Sequence, residues 1–309
     1  MNTKIKAGVV GVGAIGKNHA RIYSELESCE LGAVYDTDFE AAAAIVEQYG
    51  GQVAGSLEEL CEHVDAASIA TPTVTHRSVG ELLLNAGKHV LVEKPISNTA
   101  DDAKALVELA AEKNLILQVG HIERFNPVMS ELEKRLDNPR FIEVHRLSPF
   151  PNRSTDIGVV LDLMIHDLEI VLHLVKSEVE SVDAVGVPVL THREDIANAR
   201  IRFASGAVAN ITSSRISPER MRKLRVFQGD SYLSLDYQDQ SGELYWKEGT
   251  GISKAAVEVE KGEPLKGELA AFVDCAKAGR QPAVSGREGT AALELAIEVT
   301  RLIEEGNKV

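Results

Sequence analysis

The sequence predicts an α/β fold in two domains, an N-terminal one on a parallel sheet and a C-terminal one with a large, mostly antiparallel open sheet. Three observations predict it. Short apolar runs alternate with amphipathic stretches up to about residue 120, β-rich runs separated by turn signals follow from about residue 140, and a glycine-rich turn joins the first strand to the first helix. A chain of 309 residues exceeds what one compact core usually holds. The expected division is 1–122 and 123–309, with the C-terminal helix free to pack back on the first domain.

In the first domain, residues 4–10, 31–36, 66–70, 88–92 and 115–119 read as strands, with helices over 14–25, 39–49, 74–86 and 100–113. Strands alternating with helices imply a parallel sheet covered on both faces. Thr99 starts one helix as a side-chain cap and Gly87 stops another. In the second domain, strands are expected at 141–147, 179–187, 197–203, 207–212, 224–228 and 232–237. Hairpins turn on Ala204-Ser205-Gly206 and Gly229-Asp230. Such a sheet needs a cover, and the apolar stretch 157–175 supplies it. The segment 287–305 reads as an amphipathic helix stopped by Gly306.

The turn is Gly11-Val12-Gly13-Ala14-Ile15-Gly16, with Asp36 twenty residues past the last glycine at the end of the second strand. Gly11 permits the tight turn, Gly13 lets backbone approach a pyrophosphate, and Gly16 lets helix and strand pack closely. Amides from Gly13, Ala14 and Ile15 onward would meet the phosphates at the helix start. Strand, glycine turn, helix and acidic residue together make a Rossmann dinucleotide fingerprint. Asp36-Thr37-Asp38 offers no Arg or Lys to a 2′-phosphate, so NAD is expected rather than NADP.

Composition excludes several classes of function. Lys and Arg number 33 against 47 Asp and Glu, a net charge of −14, which opposes nucleic acid and anionic membrane surfaces as partners. Cys29, Cys61 and Cys275 are odd in number and lack metal-ligand spacing, so neither a disulfide framework nor a metal site is expected. The amino-terminal residues carry no apolar leader and no apolar run spans a bilayer, so a cytoplasmic protein is expected.

Four groups of residues could carry chemistry. The apolar stretch 157–175 contains Asp162, His166, Glu169 and His173 at offsets of four, seven and eleven, one stripe of a helix at about 100° per residue. Buried ionisable groups must be paired or face a cavity. The bland reading is an Asp162–His166 pair with Glu169 and His173 on a wet edge, whereas Gly158, on the same line, leaves room for a ligand. Glu93-Lys94-Pro95 follows the strand at 88–92, where ligands of open α/β sheets collect, with a salt-bridged surface lysine as the rival reading. The Lys94-Pro95 bond is either cis or, as base rates favour, trans. At another strand end, Thr71, Pro72 and His76 either line the nicotinamide side or simply open a helix. Arg124, in Gly120-His121-Ile122-Glu123-Arg124-Phe125-Asn126-Pro127, is an anion contact or an interdomain ion pair, and Arg146 and Arg153 either serve a substrate phosphate or flank a solvated loop.

In this order, Gly11-x-Gly13-x-x-Gly16, Thr71-Pro72-x-x-x-His76, Glu93-Lys94-Pro95 and Asp162-x-x-x-His166 resemble the glucose-fructose oxidoreductase and inositol dehydrogenase superfamily, Gfo/Idh/MocA, along essentially the whole chain. The resemblance implies a nicotinamide-dependent dehydrogenase of a sugar, sugar-nucleotide or polyol hydroxyl, with Lys94 and His166 as the catalytic pair and Asp162 orienting His166 or binding a substrate hydroxyl. Either Lys94 or His166 would serve as base. It also implies a homodimer or homotetramer formed through the C-terminal sheet. Many members have paired glycines where this chain has Ile157-Gly158. The segments 120–127 and 156–162 are similar to UDP-N-acetylglucosamine 3-dehydrogenases, which implies oxidation of C3 of that sugar nucleotide and metabolic coupling to an aminotransferase. The rival readings are a dehydrogenase of another sugar, a UDP-sugar uronic acid or an inositol, and a non-catalytic sensor of NAD or sugar. Retention of Lys94, Asp162 and His166 together argues against the sensor.

Overall fold

The computed structural model describes residues 4–150 and 157–307. The chain divides into two units, one comprising the chain up to Ile122 together with Leu265–Ala291, the other Glu123–Pro264 together with the chain from Ala292 on.

In the first unit, β1 (Ile5–Val10), β2 (Cys29–Tyr35), β3 (Gln52–Val53), β4 (Ala66–Ile69), β5 (His89–Glu93) and β6 (Leu117–Gly120) form one sheet in the order β3-β2-β1-β4-β5-β6. Every pairing is parallel. Between the strands run α1 (Gly16–Glu25), α2 (Phe39–Tyr49), α3 (Leu57–His63), α4 (His76–Asn85) and α5 (Ala100–Glu112). Helix starts follow side-chain caps: Asp38 accepts from the amides of Glu40 and Ala41, Ser56 from Glu59, and Thr99 from Asp102. Gly87, in the left-handed region at φ 76°, ends the turn after α4. The short β3 and α3 lie outside the sequence expectation because two residues and seven residues carry too little periodicity to read.

The second unit contains α6 (Pro127–Glu133), β7 (Phe141–Leu147), a π turn at Val160–Met164 that runs into α7 (Ile165–Val175), and seven further strands. These are β8 (Val179–Val187), β9 (Ile196–Phe203), β10 (Val208–Ser214), β11 (Met221–Gln228), β12 (Ser231–Asp236), β13 (Ser241–Glu248) and β14 (Gly251–Val257). Their sheet runs β14-β13-β12-β11-β7-β10-β9-β8, antiparallel except where β7 and β10 pair in parallel. The last two strands, α6 and α8 (Pro264–Ala278) were not anticipated from the sequence. Strands β13 and β14 are exposed or half-buried along most of their length, which removes the alternation that marks a strand.

Alternate residues of the sheet, among them Ile142, Val144, Ile201, Ile211, Val226 and Leu235, face Met164, Ile165, Leu168 and Val171, so the stretch expected as the cover does cover it. The opposite face carries a ring ladder in which Phe141, Phe227, Tyr232 and Tyr245 lie with successive centroids 5.6, 4.8 and 4.4 Å apart. Helix α8 adds Leu269, Phe272 and Val273 to the core of the first unit. Helix α9 (Gly286–Gly306) begins there, with Gly286 and Gly289 against Leu117 and Val119, while Ala292, Leu295, Ala296, Val299 and Ile303 join the core of the second unit. Among the described residues, no helix is long and apolar enough to cross a membrane. All three cysteines are free thiols. Burial pushes the Cys29 thiol up to about 12, which keeps it protonated and unreactive at neutral pH.

Arg215 and Asp195 are fully buried in the second unit and bonded to each other at 2.9 Å. Asp195 also accepts the amides of Val189, Leu190 and Thr191. Burial by itself would raise this carboxyl, but those amides and Arg215 hold it well below the usual range. Removing one partner of such a pair leaves an uncompensated buried charge, so Arg215→Ala should lower unfolding stability by about 3–5 kcal/mol. Arg193→Ala, which breaks the half-exposed Arg193–Glu304 pair, should cost under about 1 kcal/mol. Urea unfolding of the two variants measures the difference.

Candidate active site

In the first unit the residues singled out from sequence lie at the carboxyl ends of the parallel strands, where ligands of open α/β sheets bind. Gly11 follows β1 in the left-handed region at φ 86°, and its amide donates to the Tyr35 carbonyl at 2.8 Å. A Cβ on Gly16 would lie 1.8 Å from the Gly11 carbonyl oxygen, so the turn closes only with glycine there. No atom lies within 4 Å of a Cβ built on Gly13, which leaves that side of the turn open to a phosphate. Asp36 Oδ2 accepts the Val12 amide at 2.7 Å and Oδ1 the Asp38 amide at 2.9 Å, so the carboxylate that would meet a ribose also holds the turn in place. The open Gly13, the α1 N-terminus and Asp36 together fit a dinucleotide.

His76 opens α4, buried, with Nδ1 2.9 Å from the Pro95 carbonyl and Nε2 2.9 Å from the Thr71 carbonyl. Each ring nitrogen faces a backbone carbonyl, to one of which the neutral ring donates, so the buried His76 is held by backbone as it opens the helix. It ties the Thr71–Pro72 strand end to the loop that carries Lys94. Thr71 Oγ1 accepts from Thr75 Oγ1 at 2.7 Å. The Lys94-Pro95 peptide is cis, against the base-rate expectation. Glu93 bonds His19 Nε2 at 3.1 Å, and a Cβ on Gly120 would meet the Glu93 carboxyl at 2.9 Å. His19 was missed from sequence, and the available signal was a histidine on the buried face of α1 beside Ala20, Ile22 and Tyr23.

A cavity of about 740 Å³, lined by Lys4, Lys6, His63, Lys88 and Lys277 among others, lies at the opposite end of these strands. His63 and Lys277 are in the last turns of α3 and α8, where positive charge offsets the helix dipole.

In the second unit the four-residue stripe splits. Glu169 is 2 % exposed and bonded to Arg124 at 2.7 Å, while the partly exposed His173 pairs with Glu133 at 2.7 Å. Glu169 therefore lies in the interior and not on a wet edge. Arg124 makes an ion pair within this unit, which replaces both the anion contact and the interdomain pair expected of it. Arg146 is likewise committed: its Nε and Nη2 take both Asp167 oxygens at 2.7 and 2.8 Å, and Nη1 takes Glu123 at 2.8 Å. Burial opposes its charge, but these two carboxylates raise it further above the ordinary arginine value. Arg146 is thus not a phosphate ligand. Arg153 lies outside the described residues. Gly158 does not leave room for a ligand either, because the Glu194 carboxylate fills the space beside it. Asp162, within the π turn, and His166, in the first turn of α7, remain as the chemistry-bearing pair, both half-buried.

Residues 5–121 match the family model described as "Oxidoreductase family, NAD-binding Rossmann fold", and residues 132–232 match the "GFO/IDH/MocA C-terminal domain". The chain belongs to the Gfo/Idh/MocA oxidoreductase family. It is 36% identical, over 97% of both chains, to the UDP-N-acetylglucosamine 3-dehydrogenase of Acidithiobacillus ferrooxidans. The solved structure of that enzyme superposes with a TM-score of 0.94 over 98% of this chain and 99% of the other. An inositol 2-dehydrogenase of Rhizobium meliloti is 27% identical over 99% of this chain and 98% of its own. At 18% identity, levoglucosan dehydrogenase in complex with NADH and levoglucosan shares the fold, with a TM-score of 0.89 over 98% of both chains. This member of the Gfo/Idh/MocA family is an NAD-dependent oxidoreductase whose first unit binds the cofactor.

Two outcomes follow. Asp36→Ala should raise the Kd for NAD about tenfold or more, as read by calorimetry, because the carboxylate that holds the turn is also the one a ribose would meet. Burial pushes the His76 imidazole down from its ordinary value, outweighing the Thr71 and Pro95 carbonyls that favour the charged ring. Protonation therefore favours the unfolded chain: this stability is full above the ordinary histidine value of about 6.5 and is lost as pH falls below it. The melting temperature should drop between pH 7.5 and 5.5, and His76→Asn should flatten that slope.

Proposed function

We propose that the enzyme oxidises the C3 hydroxyl of UDP-N-acetylglucosamine to the 3-keto sugar nucleotide. The observation that carries this reading is the 36% identity, over 97% of both chains, to an enzyme of that name. NAD, when bound, supplies the hydride acceptor. Lys94 and His166 hold the hydroxyl, and His166 takes its proton. Histidine is the side chain that ordinarily leaves a neutral, proton-accepting ring near neutral pH, whereas a lysine ammonium has three donors and no lone pair. Lys94 accordingly donates to the oxygen and keeps it oriented, and Asp162 orients the His166 ring. Of the arginines singled out from sequence, Arg153 is left as the partner of the sugar nucleotide's diphosphate.

The ketone product is chemically suited to consumption by an aminotransferase, which would draw the unfavourable oxidation forward. We place the enzyme in the cytoplasm, as a homodimer or homotetramer whose copies meet on the open sheet face that bears the Phe141–Tyr245 ring ladder. An inositol hydroxyl is the second reading, favoured by the full-length similarity to the inositol 2-dehydrogenase.

NADH absorbance with purified enzyme, NAD and UDP-N-acetylglucosamine, coupled to a glutamate-dependent 3-aminotransferase, tests the assignment. NADH should form, and His166→Ala and Lys94→Ala should each lower kcat by about 10²–10⁴-fold. Turnover of myo-inositol with silence on the sugar nucleotide would transfer the assignment to the second reading. Arg153→Ala should raise KM for the sugar nucleotide and leave KM for NAD unchanged.

A further inference from the structure

The helix that carries Asp162 and His166 starts on an unusual support. A Cβ on Gly158 would lie 1.8 Å from Glu194 Oε1 and 2.2 Å from its carboxyl carbon, so the side chain that Gly158 lacks is replaced in space by the Glu194 carboxylate. Glu194 is only 6 % exposed and lies in the connection between β8 and β9. Its Oε1 accepts the Val160 amide at 3.3 Å, and its backbone carbonyl accepts the Val159 amide at 2.9 Å. Helix starts present amides without an intrahelical acceptor and favour negative charge, and this carboxylate meets both conditions. The neighbouring pair fixes the same point from the other side, since Arg215 Nη1 donates to the Ile157 carbonyl at 2.8 Å while Nε holds Asp195 at 2.9 Å.

Past one α-type bond, from the Asp162 amide to the Gly158 carbonyl at 3.1 Å, the winding widens. Residues Val160–Met164 wind as a π turn, closed by the Ile165 amide donating to the Val160 carbonyl, a bond spanning five residues. Wider winding turns each residue through less than the α value, so it changes the angle between Asp162 and His166 from what i,i+4 spacing in an α-helix would give. Extra-wide turns of this kind are rare, and those that occur are frequent at functional sites.

We propose that Glu194 is a positioning residue: seated in the space left by Gly158, its carboxylate sets the start of this helix and thereby the aim of Asp162 and His166. The inference rests on the reading of His166 as the proton acceptor, and two readouts keep the two apart.

The first readout is steady-state kinetics of Glu194→Ala, Glu194→Gln, Gly158→Ala and the double variant Gly158→Ala/Glu194→Ala. Gly158→Ala pushes a methyl into the carboxylate and should lower kcat by about tenfold to a hundredfold, in keeping with the cost of misplacing a catalytic group by an ångström. Removing the carboxylate in the double variant should recover part of that loss. Glu194→Gln, which keeps the acceptor oxygen, should stay closer to wild type than Glu194→Ala, and KM for NAD should stay within about twofold throughout. The second readout is the His166 imidazole proton resonance, assigned by its loss in His166→Gln. It should shift in Gly158→Ala and return toward wild type in the double variant. If Gly158→Ala does not fold, the two Glu194 variants carry both readouts. A double variant no better than Gly158→Ala, or Glu194→Ala with wild-type kcat and an unmoved His166 resonance, would overturn the proposal. Absence of turnover in the wild type overturns the functional reading alone, because the resonance still reports on the anchor.

Discussion

Gly16 approaches the Gly11 carbonyl so closely that a Cβ would stand 1.8 Å from the oxygen, and the ligand-binding end of the first unit depends on that approach. It brings the start of α1 down onto the end of β1, where the Val12 amide is within 2.7 Å of Asp36 at the end of β2. His19, one turn into the same helix, then reaches Glu93 at the end of β5. His76 ties the end of β4 to Pro95. Four strand ends are thus linked by hydrogen bonds that leave the Gly13 side of the turn open. A parallel sheet converges its strand ends at one edge, but these bonds turn the convergence into a fixed arrangement around a cofactor.

The second unit is organised by buried charge. Arg146 is bonded to Asp167 and Glu123, Arg124 to Glu169, and Arg215 to Asp195, each in the interior. Such pairs add little net stability against apolar replacements, because desolvating two ions consumes most of their attraction. Their geometry is restrictive, however. A bidentate guanidinium accepts one orientation of its carboxylate, so Arg146 on β7 fixes the rotation of α7 through Asp167, the residue after His166. With Glu194 and Arg215 at the helix start, the segment bearing Asp162 and His166 is held at both its first turn and its middle. Side chains that take part in proton transfer benefit from rigid support, since misplacement by an ångström is costly.

Most of the fold was legible in the sequence because its elements are strongly patterned. The apolar runs of the parallel strands, the Thr99 cap, the Gly87 stop and the turns at Gly206 and Gly229 all depend on local chemistry. Other elements were not read: β3 is too short, β13 and β14 are exposed or half-buried along most of their length, and α6 is only two turns long, while α8 was passed over although Leu269, Phe272, Val273 and Ala276 form a helical stripe. The candidate site was legible where its motifs are contiguous, as in the glycine turn and Glu93-Lys94-Pro95. It was not where a partner is distant in the chain, as His19 is from Glu93.

By itself the sequence determined the class of protein: a dinucleotide fingerprint in its strand–turn–helix context, an acidic composition, and a polar stripe in an apolar helix. Those features are local, and their physics is complete within a dozen residues. Only the tertiary structure decided what each charged side chain does. Arg124 looked available to an anion and Arg146 to a phosphate, and Gly158 looked like room for a ligand, until the fold supplied Glu169, Asp167, Glu123 and Glu194 from elsewhere in the chain. A charge can be read from sequence. Whether it is neutralised inside the protein or left for a substrate depends on which distant residue is buried against it.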